Sequence, residues 1–148
     1  MSRILFVSFS GPFPAKDGKR QRTAALLDSL SSKYEVDFLI LGNQTDYDLA
    51  IRSNWKENIR FFYLPLERTF IEKILHRIGF VFIGNNYLSY QISLFCKKRK
   101  YAFAFCRYIH PIPLIPAAIS IVADIDDDWE EVYQSKLNQT STWYQRVR

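Results

Sequence analysis

Cysteine is nearly absent from this sequence: two occur in 148 residues, Cys96 and Cys106, in neither a CxxC nor a zinc-site spacing. That excludes a disulfide framework and favours a reducing compartment. Long apolar runs are missing as well. The run at residues 4–7 behind Arg3 is far shorter than a signal-peptide core, and no stretch approaches the roughly 20 apolar residues that span a bilayer. A cytoplasmic protein is the expectation. Two nucleotide signatures are also lacking, GxGxxG and GxxxxGK[ST], which removes the usual support for NAD and Walker-type ATP binding. There is no recognised RNA- or DNA-binding motif, no internal repeat and no low-complexity tract.

What remains is ample for a folded core. Hydrophobic residues make up 48% and aromatics 16%, well above a disordered chain, and the length suits one domain over residues 1–148. A net charge of +5 and a pI near 9.2 call for an anionic partner; nucleotide, phospholipid and nucleic acid share that chemistry, the last without a motif to support it.

Five runs rich in β-branched and aromatic residues, at 4–8, 36–41, 59–64, 101–106 and 119–123, alternate with segments of helical spacing. Several are apolar throughout, as parallel strands covered on both faces are. The fold class expected is therefore α/β, a Rossmann-like open parallel sheet with helices on both faces. Thr23, Leu26, Leu27 and Leu30 trace the inner face of a first helix over 18–32. A second is expected over 46–55, with Asn43, Thr45 and Asp46 as candidate caps, and two more over 70–82 and 87–98, parted by the Gly84-Asn85-Asn86 turn signal. A last helix would start near Asp127, its stripe of Val132, Tyr133, Leu137, Tyr144 and Val147 running uncapped to Arg148, so the domain reads as incomplete.

The segment between the first strand and the first helix, SFSGPFPAKDGKRQR from Ser8 to Arg22, holds the most chemistry. In a parallel sheet the loops at the carboxyl ends of the strands line the ligand crevice. Gly11 and Gly18 permit tight turning and close backbone approach, and Pro12 and Pro14 stiffen the path. The helix N-terminus offers N–H groups to an anion, with Lys19, Arg20 and Arg22 beside it. A phosphate or a sugar fits such a loop; a plain connection with a solvated basic first turn is the alternative.

From Arg3 to Leu41, RILFVSFSGPFPAKDGKRQRTAALLDSLSSKYEVDFLIL resembles the opening of family-4-like glycosyltransferases, whose N-terminal domains begin with a short strand, a Pro-rich loop ending in paired glycines, an arginine-bearing helix start and a Leu-Leu pair. Arg20, Arg22, Leu26 and Leu27 fall on that pattern, whereas Lys19 stands where the second glycine is common. The resemblance implies the acceptor-side half of a GT-B glycosyltransferase, inactive alone. A C-terminal domain, absent from this chain, would bind most of a nucleotide-sugar donor, a co-substrate rather than a resident cofactor, and the acceptor would be a glycan or lipid-linked.

A second cluster, Asp124-Ile125-Asp126-Asp127-Asp128, follows the last strand. Acidic residues at a helix start are favoured by the macrodipole, so capping explains them. The resembling family places Asp-x-His-Asp here, its histidine orienting the donor sugar; that implies a catalytic place for Asp126, in the histidine's position, and a substrate contact for Asp127. A carboxylate there accepts hydroxyl hydrogen bonds or a proton but donates neither at neutral pH. Asp124-Ile125-Asp126 also reads as a DxD for a hard divalent cation, held second because the GT-B architecture needs no metal. His110, in the Pro-rich run Arg107-Tyr108-Ile109-His110-Pro111, is a further candidate contact for a phosphate or sugar hydroxyl. His76 receives no role. Aromatic and basic residues interleaved from Arg68 to Tyr101, ending in Lys97-Lys98-Arg99-Lys100, suit peripheral contact with an anionic membrane; the plainer reading takes most of the aromatics as core and the basic run as a solvated helix end. A stand-alone module binding a phosphorylated ligand or such a membrane without chemistry is the rival to the enzyme.

Overall fold

The computed structural model describes residues 1–53, 55–66 and 86–125. The expected helices over 70–82 and from Asp127 onward lie outside the described residues. Five parallel strands, β1 (Arg3–Ser8), β2 (Glu35–Leu41), β3 (Ile59–Leu64), β4 (Ala104–Arg107) and β5 (Ile121–Asp124), form one sheet in the order β3-β2-β1-β4-β5. Helices α1 (Gly18–Ser31), α2 (Gln44–Arg52) and α3 (Asn86–Lys97) and a short 3-10 turn at Ile112–Leu114 connect them.

Strands β1, β2 and β4 are buried almost throughout because both of their faces are covered. Ile4, Phe6, Val36, Phe38, Ile40 and Phe105 point to one side, where they meet Leu27 of α1 and Ala50 of α2. Leu5, Val7, Leu39, Leu41, Ala104 and Cys106 point to the other, against Leu88, Ile92 and Cys96 of α3. This partition follows from handedness. The chain travels outward through β1, β2 and β3 and then returns past β1 to β4, and right-handed crossovers in opposite directions place their helices on opposite faces. Phe6 centres the first core, its ring 4.7 Å from Phe38 and 5.1 Å from Phe105.

Element ends move where a particular bond decides them. Asp17 caps α1, its Oδ1 accepting from Arg20 N at 2.9 Å. Of the expected inner face, Thr23 and Leu27 are buried, with Leu26 and Leu30 packed partly against the core. Asn43 rather than Asp46 caps α2, accepting from Asp46 N at 3.1 Å, so the helix starts two residues earlier than expected and ends at Arg52, where Ser53 turns extended. The fourth strand was expected over 101–106. Ala102 N and Phe103 O do bond to β1, at 2.8 and 3.1 Å, but the paired register begins at Ala104 and carries Arg107 inside the strand. The fifth was expected over 119–123; Ile119 N instead bonds Pro116 O at 3.0 Å in a turn, and pairing starts at Ile121.

At the amino end of the sheet one carboxylate is buried within an apolar strand. Asp37 is fully buried; Arg60 donates to its Oδ1 from Nε at 2.9 Å and Nη2 at 2.6 Å, and Tyr101 donates to Oδ2 at 2.8 Å. Arg99 Nε lies 3.4 Å from the same oxygen. A charge so placed is tolerated only with its acceptor sites filled. Burial, and then the bond to Asp37, holds the Tyr101 phenol far above its ordinary pKa. The cluster joins β2, β3 and the approach to β4. Both cysteines lie in the α3-side core, where burial pushes the Cys96 thiol up to about 11 and that of Cys106 to about 12, leaving them inert as nucleophiles at neutral pH.

Candidate functional site

The sheet order places β1 beside β4, with connections leaving their carboxyl ends in opposite directions. In open α/β sheets that reversal opens the crevice where ligands bind. Its borders here are the loop after Ser8 and the turn after Arg107.

The first border is held in shape. Gly11 N donates to Asp46 Oδ2 at 2.7 Å, and Arg20 Nη1 donates to Asp46 Oδ1 at 2.9 Å and also to the carbonyl of Phe13. Asp46 is buried in the first turn of α2, so these bonds clamp the loop between two helix starts. The Phe13–Pro14 peptide is cis, and the Phe13 ring meets Trp55 edge-on at 4.7 Å. Space at Gly11 is tight: a Cβ there would stand 3.0 Å from Asp46 Cβ and 3.1 Å from its carbonyl oxygen, so a side chain would need the start of α2 to give by a few tenths of an ångström.

At the second border three charged side chains converge. Arg107, fully buried on the α1 side of β4, donates from Nη1 to Asp124 Oδ2 at 2.6 Å. Arg22 reaches from α1 to the same carboxylate, Nη2 to Oδ1 at 2.7 Å and Nε to Oδ2 at 3.3 Å. Arg22 is 45% exposed at its side chain and Asp124 11%, so the assembly grades from core to crevice. Tyr108 adopts φ 70, a left-handed conformation uncommon for a bulky residue, with its N bonded to Asp124 O at 3.0 Å. Arg107 Nη2 donates to its hydroxyl at 3.1 Å. Strained backbone of this kind gathers at ligand-binding places.

Of the residues expected at the site, Gly11, Gly18, Lys19, Arg20, Arg22 and His110 all fall along this edge. Their roles divide. Arg20 serves the loop, its guanidinium engaged by Asp46, Asp17 and Phe13, and it positions rather than presents charge. Lys19 is exposed, and His110 is exposed in the turn leading to the 3-10 segment. Gly18 meets nothing within 4 Å where a Cβ would stand, so nothing in the described part of the chain demands glycine there. Asp126 and Asp127 lie outside the described residues. The DxD reading loses its first carboxylate, because both oxygens of Asp124 accept from guanidinium groups.

Asp46, Arg107 and Tyr108 are residues that sequence reasoning did not assign to the site, and Asp124 was read there only as a metal ligand. The signal for Asp46 was a carboxylate in a helix's first turn, read only as a cap. No helix among the described residues is long and apolar enough to cross a membrane. Compared with known proteins, the chain matches no family model, no curated protein and no solved structure.

Proposed function

We propose that this chain is the acceptor-side domain of a glycosyltransferase that uses a nucleotide-sugar donor. The observation that carries this reading is the carboxyl-end crevice, where a clamped loop faces the Arg22–Asp124–Arg107 assembly across the β1–β4 reversal. The likeness of the segment from Arg3 to Leu41 to family-4-like enzymes supports it. Such a site suits a reaction in which an acceptor hydroxyl attacks the anomeric carbon, the bond to the nucleotide phosphate breaks, and the hydroxyl proton passes to a carboxylate.

The rigid loop then holds the acceptor, and Arg22, the exposed member of the assembly, meets an acceptor or donor phosphate. Asp126 is the proposed proton acceptor. Catalysis is positioning together with charge stabilisation, and both need side chains fixed before substrate arrives. The clamp by Asp46 and the anchoring of Arg22 by Asp124 supply that fixity. The test is sugar transfer by the product of the complete gene, assayed with a panel of labelled nucleotide-sugars against glycan and lipid acceptors. Arg22→Ala is expected to lower kcat/KM by at least about tenfold, the scale of one lost charge-assisted contact. Transfer that Arg22→Ala leaves untouched, or no transfer or donor hydrolysis with any donor, would overturn the reading.

A further inference from the structure

The sequence from Lys73 to Ala123 contains no aspartate or glutamate. Helix α3 lies within it. The inner side of α3 is spent on the core through Leu88, Ile92 and Cys96. Its outer side carries Tyr87, Tyr90 and Leu94, at 44%, 58% and 38% exposure, spaced three and four residues apart and so stacked along one face. Lys97, Lys98 and Lys100, all exposed, crowd the helix end. Beside them opens a cleft of about 530 Å³ lined by Ser93, Cys96, Tyr101, Pro116, Ala118 and Ile119, with Lys97 and Lys100 at its rim. Lys97 belongs to both surfaces, which makes them continuous.

We propose that the outer face of α3 and its basic end dock on an anionic lipid bilayer. Three features choose that occupant. The chain around the face is positive and, from Lys73 to Ala123, free of carboxylates; Asp37, which meets Arg99 and Tyr101, is buried. Tyrosines present an apolar ring with a polar tip, the composition suited to the headgroup boundary. An amphipathic helix with lysines beside an apolar stripe lies in that boundary rather than crossing it. Each lysine near an anionic surface contributes about a fivefold gain in partition. This inference does not depend on the transferase reading, since a binding module would use the same face.

Flotation of the 148-residue chain with phosphatidylcholine vesicles, with and without phosphatidylglycerol, tests it. Binding is expected only where phosphatidylglycerol is present, weakening as salt is raised. Lys97→Gln/Lys98→Gln should lower the partition coefficient about twenty-fivefold, and Tyr90→Ser/Leu94→Ser should lower it at unchanged charge. Lys33→Gln/Arg52→Gln, which removes the same charge from exposed positions on α1's end and α2, should leave it within about twofold. All four positions of the first two pairs are exposed, so circular dichroism should show the fold retained. The proposal is overturned by absence of binding to the phosphatidylglycerol vesicles or equal binding to both kinds, by equal loss in both charge-neutralising pairs, or by self-association that Tyr90→Ser/Leu94→Ser abolishes, since the face would then be covered by a second copy.

Discussion

Asp124→Ala is expected to lower the stability of the domain by about 3 kcal/mol, a fall in Tm of roughly 8 °C for a chain of this size. The carboxylate accepts from Arg107, which is fully buried, and from Arg22, which is not. Deleting it removes an acceptor 2.6 Å from the inner guanidinium, and weakening the pairing of a buried charge costs far more than an exposed pair contributes. Arg22→Met should therefore cost less than about 1 kcal/mol, because its side chain stays near half exposed. Asp124→Asn should fall between the two, keeping one oxygen acceptor. Chemical denaturation of the three variants checks the order. Equal losses for Arg22→Met and Asp124→Ala would mean that the assembly works as a surface pair and not as a core-anchored one.

Asp46→Ala is expected to release the loop at residues 9–17. Gly11 N and Arg20 Nη1 both donate to this buried carboxylate, and losing both bonds should cost about 3 kcal/mol. The effect should be local as well as global. Exchange of the Gly11 amide hydrogen should accelerate about a hundredfold, the kinetic equivalent of that free energy for a segment that opens on its own. Asp46→Asn keeps an acceptor for Gly11 N and should restore much of the protection. If the Gly11 amide exchanges at the wild-type rate in Asp46→Ala, the loop is held by contacts such as that of Phe13 with Trp55, and the clamp is not its determinant.

The fold was largely legible because its physics is local or periodic. Residues 4–8, 36–41 and 59–64 are apolar on alternate positions of both parities, and two cores use those parities separately. The first helix start expected near Gly18 from the Thr23, Leu26, Leu27 and Leu30 spacing falls where Asp17 caps it. What stayed hidden depends on partners distant in sequence. Arg20 reads as a ligand contact until Asp46, 26 positions on, is seen to hold it. Arg107 reads as a loop residue until the pairing of β4 with β5 brings Asp124 across from it. Asp37 sits inside an otherwise apolar run, and its partners lie 23 and 64 positions away. A carboxylate within an apolar strand was itself a signal, since burial obliges it to find cations or donors, but it does not name them. Gly18, read as permitting close approach of the backbone to a ligand, faces open space on the protein side.

The measurement closest to the central claim is an amide shift map of the labelled chain titrated with sugar phosphates and short oligosaccharides as acceptor analogues. The account predicts shifts that saturate together at Gly11, Lys19, Arg22, Tyr108 and His110, around the β1–β4 crevice. Shifts confined to the amino-end cleft formed by Arg3, Glu35, Glu57, Asn58 and Arg60, or no saturable shift with any of them, would contradict it.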